Sequence, residues 1–174
     1  VATVFRDLHT EHGVTFRFGV GLREFGGLDE RLTHVVTENG DEVPADLAIV
    51  GVGIRPAVEL AEAAGLAVDN GVVVDASLRT DDPDVYACGD VASWDHPGLK
   101  RRLRVEHWAN ALNGGPAAAK AMLGQDVTYD PVPYFFTDQY DLGMEFAGWF
   151  EPKDVERVVF RGDKATREFI AFWT

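Results

Sequence analysis

Apolar residues at Val1, Val4, Phe5 and Leu8 recur at helical spacing, and Gly13 is placed to stop that helix before the strand-like run Val14-Thr15-Phe16-Arg17-Phe18. A turn is expected at Gly26-Gly27, a strand from Leu32 to Thr37, and a hairpin turn at Glu38-Asn39-Gly40-Asp41, with Glu42-Val43-Pro44-Ala45 leading on. The run Asp46-Leu47-Ala48-Ile49-Val50-Gly51-Val52-Gly53 reads as a short buried strand ending in glycines. After Pro56, a helical pattern over residues 58–64 is stopped by Gly65. The pattern returns to β at Gly71-Val72-Val73-Val74-Asp75 and again at Val85-Tyr86-Ala87-Cys88, which runs into Gly89-Asp90. A long helix is expected over residues 105–123, weakened in its middle by Gly114-Gly115-Pro116. From Val127 the composition changes. Tyr134-Phe135-Phe136, Met144 to Trp149, Val155 to Phe160 and Glu168 to Trp173 read as strands, with turns at Glu151-Pro152-Lys153-Asp154 and Arg161-Gly162-Asp163-Lys164. This last region reads as an antiparallel unit of its own.

Composition narrows the function. At 174 residues and 46% hydrophobic content, the chain can build a core. Sixteen basic against 29 acidic residues, a net charge of -13, argue against nucleic acid, because phosphate neutralisation needs clustered Lys and Arg on one face. No run of about 18 apolar residues predicts a membrane span, and no basic-then-apolar leader opens the chain, so the expected location is cytoplasmic. The single cysteine, Cys88, excludes an internal disulfide framework or a two-cysteine redox motif within these residues. The sequence opens in mid-pattern without methionine, which fits a piece of a longer protein.

The strongest chemical signal is Thr80-Asp81-Asp82-Pro83-Asp84-Val85-Tyr86-Ala87-Cys88-Gly89-Asp90. A strand ending in Gly-Asp sets a carboxylate at the carboxyl edge of an α/β sheet, where ligands gather, and glycine lets a backbone approach closely. Such an aspartate can accept hydrogen bonds from sugar or ribityl hydroxyls; taken alone, Gly-Asp reads first as an ordinary strand-to-turn transition. A second signal is Val105-Glu106-His107-Trp108-Ala109-Asn110-Ala111, which opens the long helix after the basic run Lys100-Arg101-Arg102-Leu103-Arg104. Helix N-termini present free N–H groups and partial positive charge, although a solvated helix start has the same sequence pattern.

In this order the motifs resemble a known family. Thr80 to Asp90 resembles the second FAD-binding motif of glutathione-reductase-like flavoproteins, in which the aspartate holds the ribityl chain or phosphate oxygens and the next residue, Val91 here, approaches the flavin through its backbone. Glu106-His107-Trp108 resembles the ferredoxin-reductase branch, which includes apoptosis-inducing factor. The resemblance implies that His107 and Trp108 border the isoalloxazine ring and that Glu106 lies near the nicotinamide side. Pro133-Tyr134-Phe135-Phe136-Thr137-Asp138-Gln139-Tyr140 is similar to the segment that begins that branch's C-terminal domain, with an aromatic residue against the flavin at Phe136. Most relatives place tryptophan there, so phenylalanine keeps the apolar face and loses the indole N–H. Gly51-Val52-Gly53-Ile54-Arg55-Pro56 resembles the end of the last nicotinamide-domain strand, which puts the backbone of Val52 and Gly53 beside the nicotinamide ribose. Ala57 stands where the family usually has a helix-capping asparagine. Glu145 matches a position facing the nicotinamide side in some relatives.

The implied fold is α/β: a partial FAD/NAD(P)-binding Rossmann-like fold followed by a C-terminal α+β reductase domain. In family order, residues 1–70 form the rear part of the NAD(P)-binding domain, 71–126 the returning part of the FAD-binding domain, and 127–174 the start of the C-terminal domain. The implied cofactors are FAD and NAD(P)H. The implied partner is a ferredoxin or similar iron–sulfur carrier, with Lys100, Arg101, Arg102 and Arg104 as a candidate docking patch, although such a run by itself reads more readily as a solvated turn. Hydride transfer between the two cofactors needs no protein acid or base, so no catalytic residue is assigned.

No Gly-x-Gly-x-x-Gly loop occurs, so neither pyrophosphate cradle is present in these residues. The 174-residue chain alone is therefore expected to bind FAD weakly or not at all and to be inactive, with pairing to a second copy as one way to cover unpaired sheet edges. Two alternatives remain open from sequence. One is a disulfide reductase of the same superfamily. The other is a cofactor-free interaction domain.

Overall fold

A computed structural model describes residues 1–174, which divide into two compact units: residues 1–53 with 159–172, and residues 54–158 with 173–174. In the first unit, helix α1 (Ala2–Glu11) buries Leu8 and ends where Gly13 takes φ 85° and its N–H bonds the Thr10 carbonyl. A left-handed φ is open to glycine without a Cβ clash, so the stop lies where the sequence pattern puts it.

Strands β1 (Leu22–Leu28), β2 (Arg31–Thr37) and β3 (Glu42–Pro44) form an antiparallel meander. The expected turn at Gly26-Gly27 is displaced. Both glycines lie inside β1, and the chain reverses at Asp29 and Glu30, whose φ angles of 52° and 61° suit a two-residue hairpin. The glycines have a steric reason to be in the strand: a Cβ on Gly26 would strike the His34 ring, and one on Gly27 the Arg31 carbonyl.

Two expected strands of the first unit do not form. Residues 14–18 are irregular, and residues 46–53, read as a buried strand, make no ladder and leave Leu47 79%, Ile49 92% and Val52 89% exposed. An apolar strand gains its stability from neighbours on both edges and faces. Nothing in the chain pairs with these residues, so the pattern has no sheet to join.

The second unit carries helix α2 (Glu59–Ala63), ended by Gly65 at φ 77°, and a sheet of β4 (Val72–Val74), β5 (Ala92–His96) and β6 (Arg101–Leu103). β4 and β5 run parallel, with Val72, Val73 and Val74 opposite Ala92, Ser93 and Trp94, and β6 returns antiparallel to β5. Helix α3 (Trp108–Met122) covers this sheet. Val74, Leu78, Ala92, Trp94, Leu103, Val105, Ala118 and Tyr129 form the core. The helix runs through Gly114, Gly115 and Pro116 because burial of Gly114, Ala118 and Ala121 on one face offsets their poor propensity.

Beyond α3, β7 (Tyr134–Gln139) and β8 (Leu142–Ala147) pair as a hairpin. β9 (Val158–Asp163) and β10 (Glu168–Trp173) form another. All four strands were legible in the sequence, although residues 161–163, read as turn, extend β9.

Candidate functional site

The connection from β4 to β5 is built by short-range hydrogen bonds rather than by regular structure. Asp75 Oδ1 accepts from the N–H of Ser77 at 2.8 Å and of Arg79 at 3.1 Å. The buried Thr80 hydroxyl lies 3.0 Å from the carbonyl oxygens of both Asp82 and Val85, and accepts from the Asp82 N–H at 3.1 Å. The threonine thus pins the loop that carries Pro83, a role its hydroxyl suits.

The expected strand at residues 85–88 is only an extended stretch with one bridge, Arg79 to Tyr86, because its other edge has no partner. It enters a single 3-10 turn, Gly89–Val91, with Gly89 at φ 72°. That turn packs on α3. A Cβ on Gly114 would lie 3.3 Å from the Gly89 nitrogen, 3.4 Å from Cys88 Cβ and 3.6 Å from the Tyr129 hydroxyl, so the mid-helix glycine permits the approach.

The start of α3 is fixed from beneath. Tyr129 donates to Asn110 Oδ1 at 2.9 Å, and Asn110 Nδ2 donates to the Val105 carbonyl at 2.9 Å. Burial, with the Cys88 thiol nearby, pushes the Tyr129 hydroxyl up to about 12, so it remains a donor. His107 is the N-cap with extended φ and ψ and makes no side-chain cap bond, so the first-turn N–H groups of the helix are left without a side-chain acceptor.

Facing this helix end is β7. Glu106, His107, Trp108, Ala109, Tyr134, Phe135 and Phe136 line a cleft of about 380 Å³. Trp108 and Phe136 are large aromatics left 70% and 55% exposed, whereas the Phe135 ring meets that of His107 in a tilted contact, with centroids 5.0 Å apart. Phe136 and Glu145 stand opposite one another across the β7–β8 hairpin, and Tyr134 bonds the Glu145 side chain, which raises the pKa of the Tyr134 hydroxyl after a larger effect of desolvation. Desolvation lowers the His107 pKa from 6.5, opposed by a main-chain hydrogen bond at Tyr134 and by the charges of Asp90 and Glu106.

Because the folded value lies below the unfolded one, the stability His107 contributes is present above pH 6.5 and is lost as pH falls through the folded value. We expect the His107 ring, followed by NMR, to titrate below 6.5; a midpoint above that value would contradict the desolvated environment.

The structure therefore gathers Gly89, Asp90, Val91, Glu106, His107, Trp108, Phe136 and Glu145 in the second unit. Val52 and Gly53 lie in the first, in the irregular segment. The basic run is largely neutralised within the chain: Arg101 pairs with Asp154 at 3.1 Å, Arg102 with Asp95 at 2.8 Å and Arg104 with Glu106 at 2.6 Å. Sequence reasoning assigned no role to Tyr129, Asn110 or Phe135. A mid-helix glycine such as Gly114 is a recognised sign of close packing and could have been read as one. The Tyr129–Asn110 bond spans 19 residues and leaves no local trace.

The arrangement has close counterparts. The family model described as pyridine nucleotide-disulphide oxidoreductase matches residues 1–115. Rhodocoxin reductase of Rhodococcus erythropolis is 38% identical over 97% of this chain and 39% of its own length. Putidaredoxin reductase of Pseudomonas putida is 36% identical over 99% of the chain and 41% of its length. Among solved structures, a ferredoxin reductase from Rhodopseudomonas palustris superposes with a TM-score of 0.91 at 36% identity, covering 99% of this chain and 42% of that one. The reductase in a covalent putidaredoxin reductase–putidaredoxin complex gives 0.90 at 35% identity, covering 98% and 41%. The chain thus spans about two fifths of the length of these relatives. No helix is long and apolar enough to cross a membrane. The implied α/β dinucleotide-binding fold is the fold of these relatives, and the chain belongs to the pyridine nucleotide-disulphide oxidoreductase family.

Proposed function

We propose that this chain is part of a cytoplasmic flavoprotein reductase that carries electrons from NADH or NADPH through FAD to a ferredoxin-like iron–sulfur partner. The single observation that carries the reading is the juxtaposition of the Gly89-Asp90 turn with the start of α3 and its aromatic cleft. Names of relatives support the partner: one is the ferredoxin–NAD(+) reductase component of an anthranilate dioxygenase system, 41% identical.

The residues present fit a flavin. Exposed Trp108 and Phe136 offer apolar ring faces, and the helix N–H groups left without a side-chain cap offer positive potential toward the edge of the ring that gains negative charge on reduction. Bound there, FAD supplies the two-electron to one-electron relay. Asp90 accepts from ribityl hydroxyls, and the main chain of Val91 follows the ring edge. His107, Trp108 and Phe136 border the isoalloxazine and exclude water, while Glu106 and Glu145 stand on the nicotinamide side. Val52 and Gly53 pass beside the nicotinamide ribose. In this reading residues 1–70, 71–126 and 127–174 belong to the nicotinamide, FAD and C-terminal domains of the parent. With three arginines of the basic run already paired, Lys100 is the member of that patch without an ion pair for an acidic partner.

The test is the absorption spectrum of the intact gene product. Bound flavin and NAD(P)H-driven reduction of an acceptor are expected, and a colourless protein that stays apo with added FAD would overturn the reading. Asp90→Ala should weaken FAD binding about tenfold or more, the loss of a charge-assisted hydrogen bond. An unchanged dissociation constant would remove Asp90 from the site.

A further inference from the structure

Arg104 does not behave like the rest of its basic run. Its side chain is 10% exposed, against 38% for Arg101 and 33% for Arg102. Nη1 donates to the Asp90 main-chain carbonyl at 3.1 Å and Nη2 to the Glu106 carboxylate at 2.6 Å, while Nε is buried without a partner. Room for it is made by Gly71, at φ 133°, where a Cβ would stand 2.9 Å from Arg104 Cδ and 2.6 Å from the Val91 carbonyl oxygen. Three chain segments therefore meet at this one side chain: Gly71 ahead of β4 against its Cδ, the Asp90 main chain of the Gly-Asp turn, and the 104–106 connection between β6 and α3.

A planar, permanently charged fork can address two acceptors in two directions at once, which the single ammonium of lysine does less well. Leaving one buried N–H unpaired carries a penalty, so stabilisation alone is a poor account of the arrangement. The Glu106 side is 38% exposed, and ion pairs with an exposed partner add little to global stability. The consequence of the contact is local.

We propose that Arg104 is a positioning residue that ties the Asp90 main chain to the Glu106 carboxylate, holding the Gly89–Val91 turn and the entrance of α3 in register before any cofactor binds. Its importance for electron transfer rests on the flavin reading above; the clamp itself does not. Cofactor and nicotinamide then meet a preset turn main chain and a preset Glu106 carboxylate, with the ordering cost already met by folding.

The test uses the full 174-residue chain without FAD. Amide hydrogen exchange is measured by NMR at Ala92, whose N–H bonds the Gly89 carbonyl, and at Ala111, whose N–H bonds the His107 carbonyl. The Arg104→Met variant should exchange roughly tenfold faster at both, with the β7–β8 amides within about twofold of wild type. Arg104→Lys, which keeps the charge and loses the fork, should fall between. The His107 ring supplies a signature that a merely structural role would not produce. It is faced by the carboxylates of Asp90 and Glu106, by the Tyr134 main chain and Phe135 ring of β7, and, through Glu106, by Arg104. Removing the cation should raise its titration midpoint, and Glu106→Gln should lower it.

Uniform acceleration at all amides, exchange unchanged at Ala92 and Ala111, or His107 shifts of the same sign in the two variants would each overturn the proposal. Should Arg104→Met fail to fold, Arg104→Lys and Glu106→Gln decide the matter: wild-type exchange at Ala111 in both would overturn it. A failure of the intact gene product to bind FAD would instead remove the flavin reading and leave the clamp standing.

Discussion

Trp94→Ala is expected to remove about 3–5 kcal/mol of unfolding free energy, the range for truncating a large buried aromatic. Trp94 is 1% exposed at the centre of the β4-β5-β6 sheet. Its ring lies 5.6 Å from that of Tyr129 and 6.1 Å from that of His96. Both neighbours hold something else in place. Tyr129 bonds Asn110 beneath the start of α3, and His96 Nε2 lies 3.0 Å from the Pro131 carbonyl on the approach to β7. The His96 tautomer follows from its other contact, since Nδ1 accepts the Leu99 N–H at 3.1 Å and leaves Nε2–H to donate.

A cavity here would therefore loosen both walls of the aromatic cleft as well as the core. Urea unfolding followed by circular dichroism should show the midpoint falling by about 1.5–2.5 M for a slope near 2 kcal/mol/M. Trp94→Phe should lose much less, because the indole N–H it deletes is buried without a hydrogen-bond partner. Equal losses for the two variants would mean that the packing argument is wrong.

Gly71→Ala is the second large effect, expected to cost about 2–4 kcal/mol from backbone strain and overpacking together. Two independent causes act at this residue. Its φ of 133° lies where L side chains are strained, and the added methyl would approach the Val91 carbonyl oxygen to 2.6 Å. The carbonyl is main chain at the end of the Gly89–Val91 turn, one residue before Ala92 pairs with Val72, and cannot swing aside as a flexible side chain would. The Arg104 stem, at 2.9 Å, would have to move as well. The same urea experiment applies, and a loss below about 1 kcal/mol would show that the turn relaxes more freely than close packing allows. Ala92 exchange should rise in this variant more than exchange in the β7–β8 hairpin.

Much of this architecture was legible from local pattern. α1, β2, α3 and the four C-terminal strands are each written in their own residues, through helical or alternating periodicity and through glycines at Gly13, Gly40 and Gly65 that adopt left-handed φ. The Thr80 loop and the Gly89-Asp90 turn were equally local, since each is closed by hydrogen bonds spanning five residues or fewer. Where the pattern misled, at residues 14–18, 46–53 and 85–88, apolar alternation stated a preference for strand, but a strand exists only when another supplies its hydrogen bonds.

Charge, too, depends on contacts that local pattern does not carry. Lys100 to Arg104 reads in one dimension as a basic patch, yet Asp154 lies 53 residues from Arg101, and folding brings the two to 3.1 Å. The sequence by itself thus determined the family motifs, the helices and hairpins that nucleate locally, and the residues available for chemistry. The tertiary structure alone decided which of those residues share a cleft, that Phe135 rather than Phe136 lies against the His107 ring, and that Arg104 faces inward to join Asp90 to Glu106. The physical reason is that ion pairs, buried hydrogen bonds and ring contacts depend on distance through space, which sequence separation does not encode.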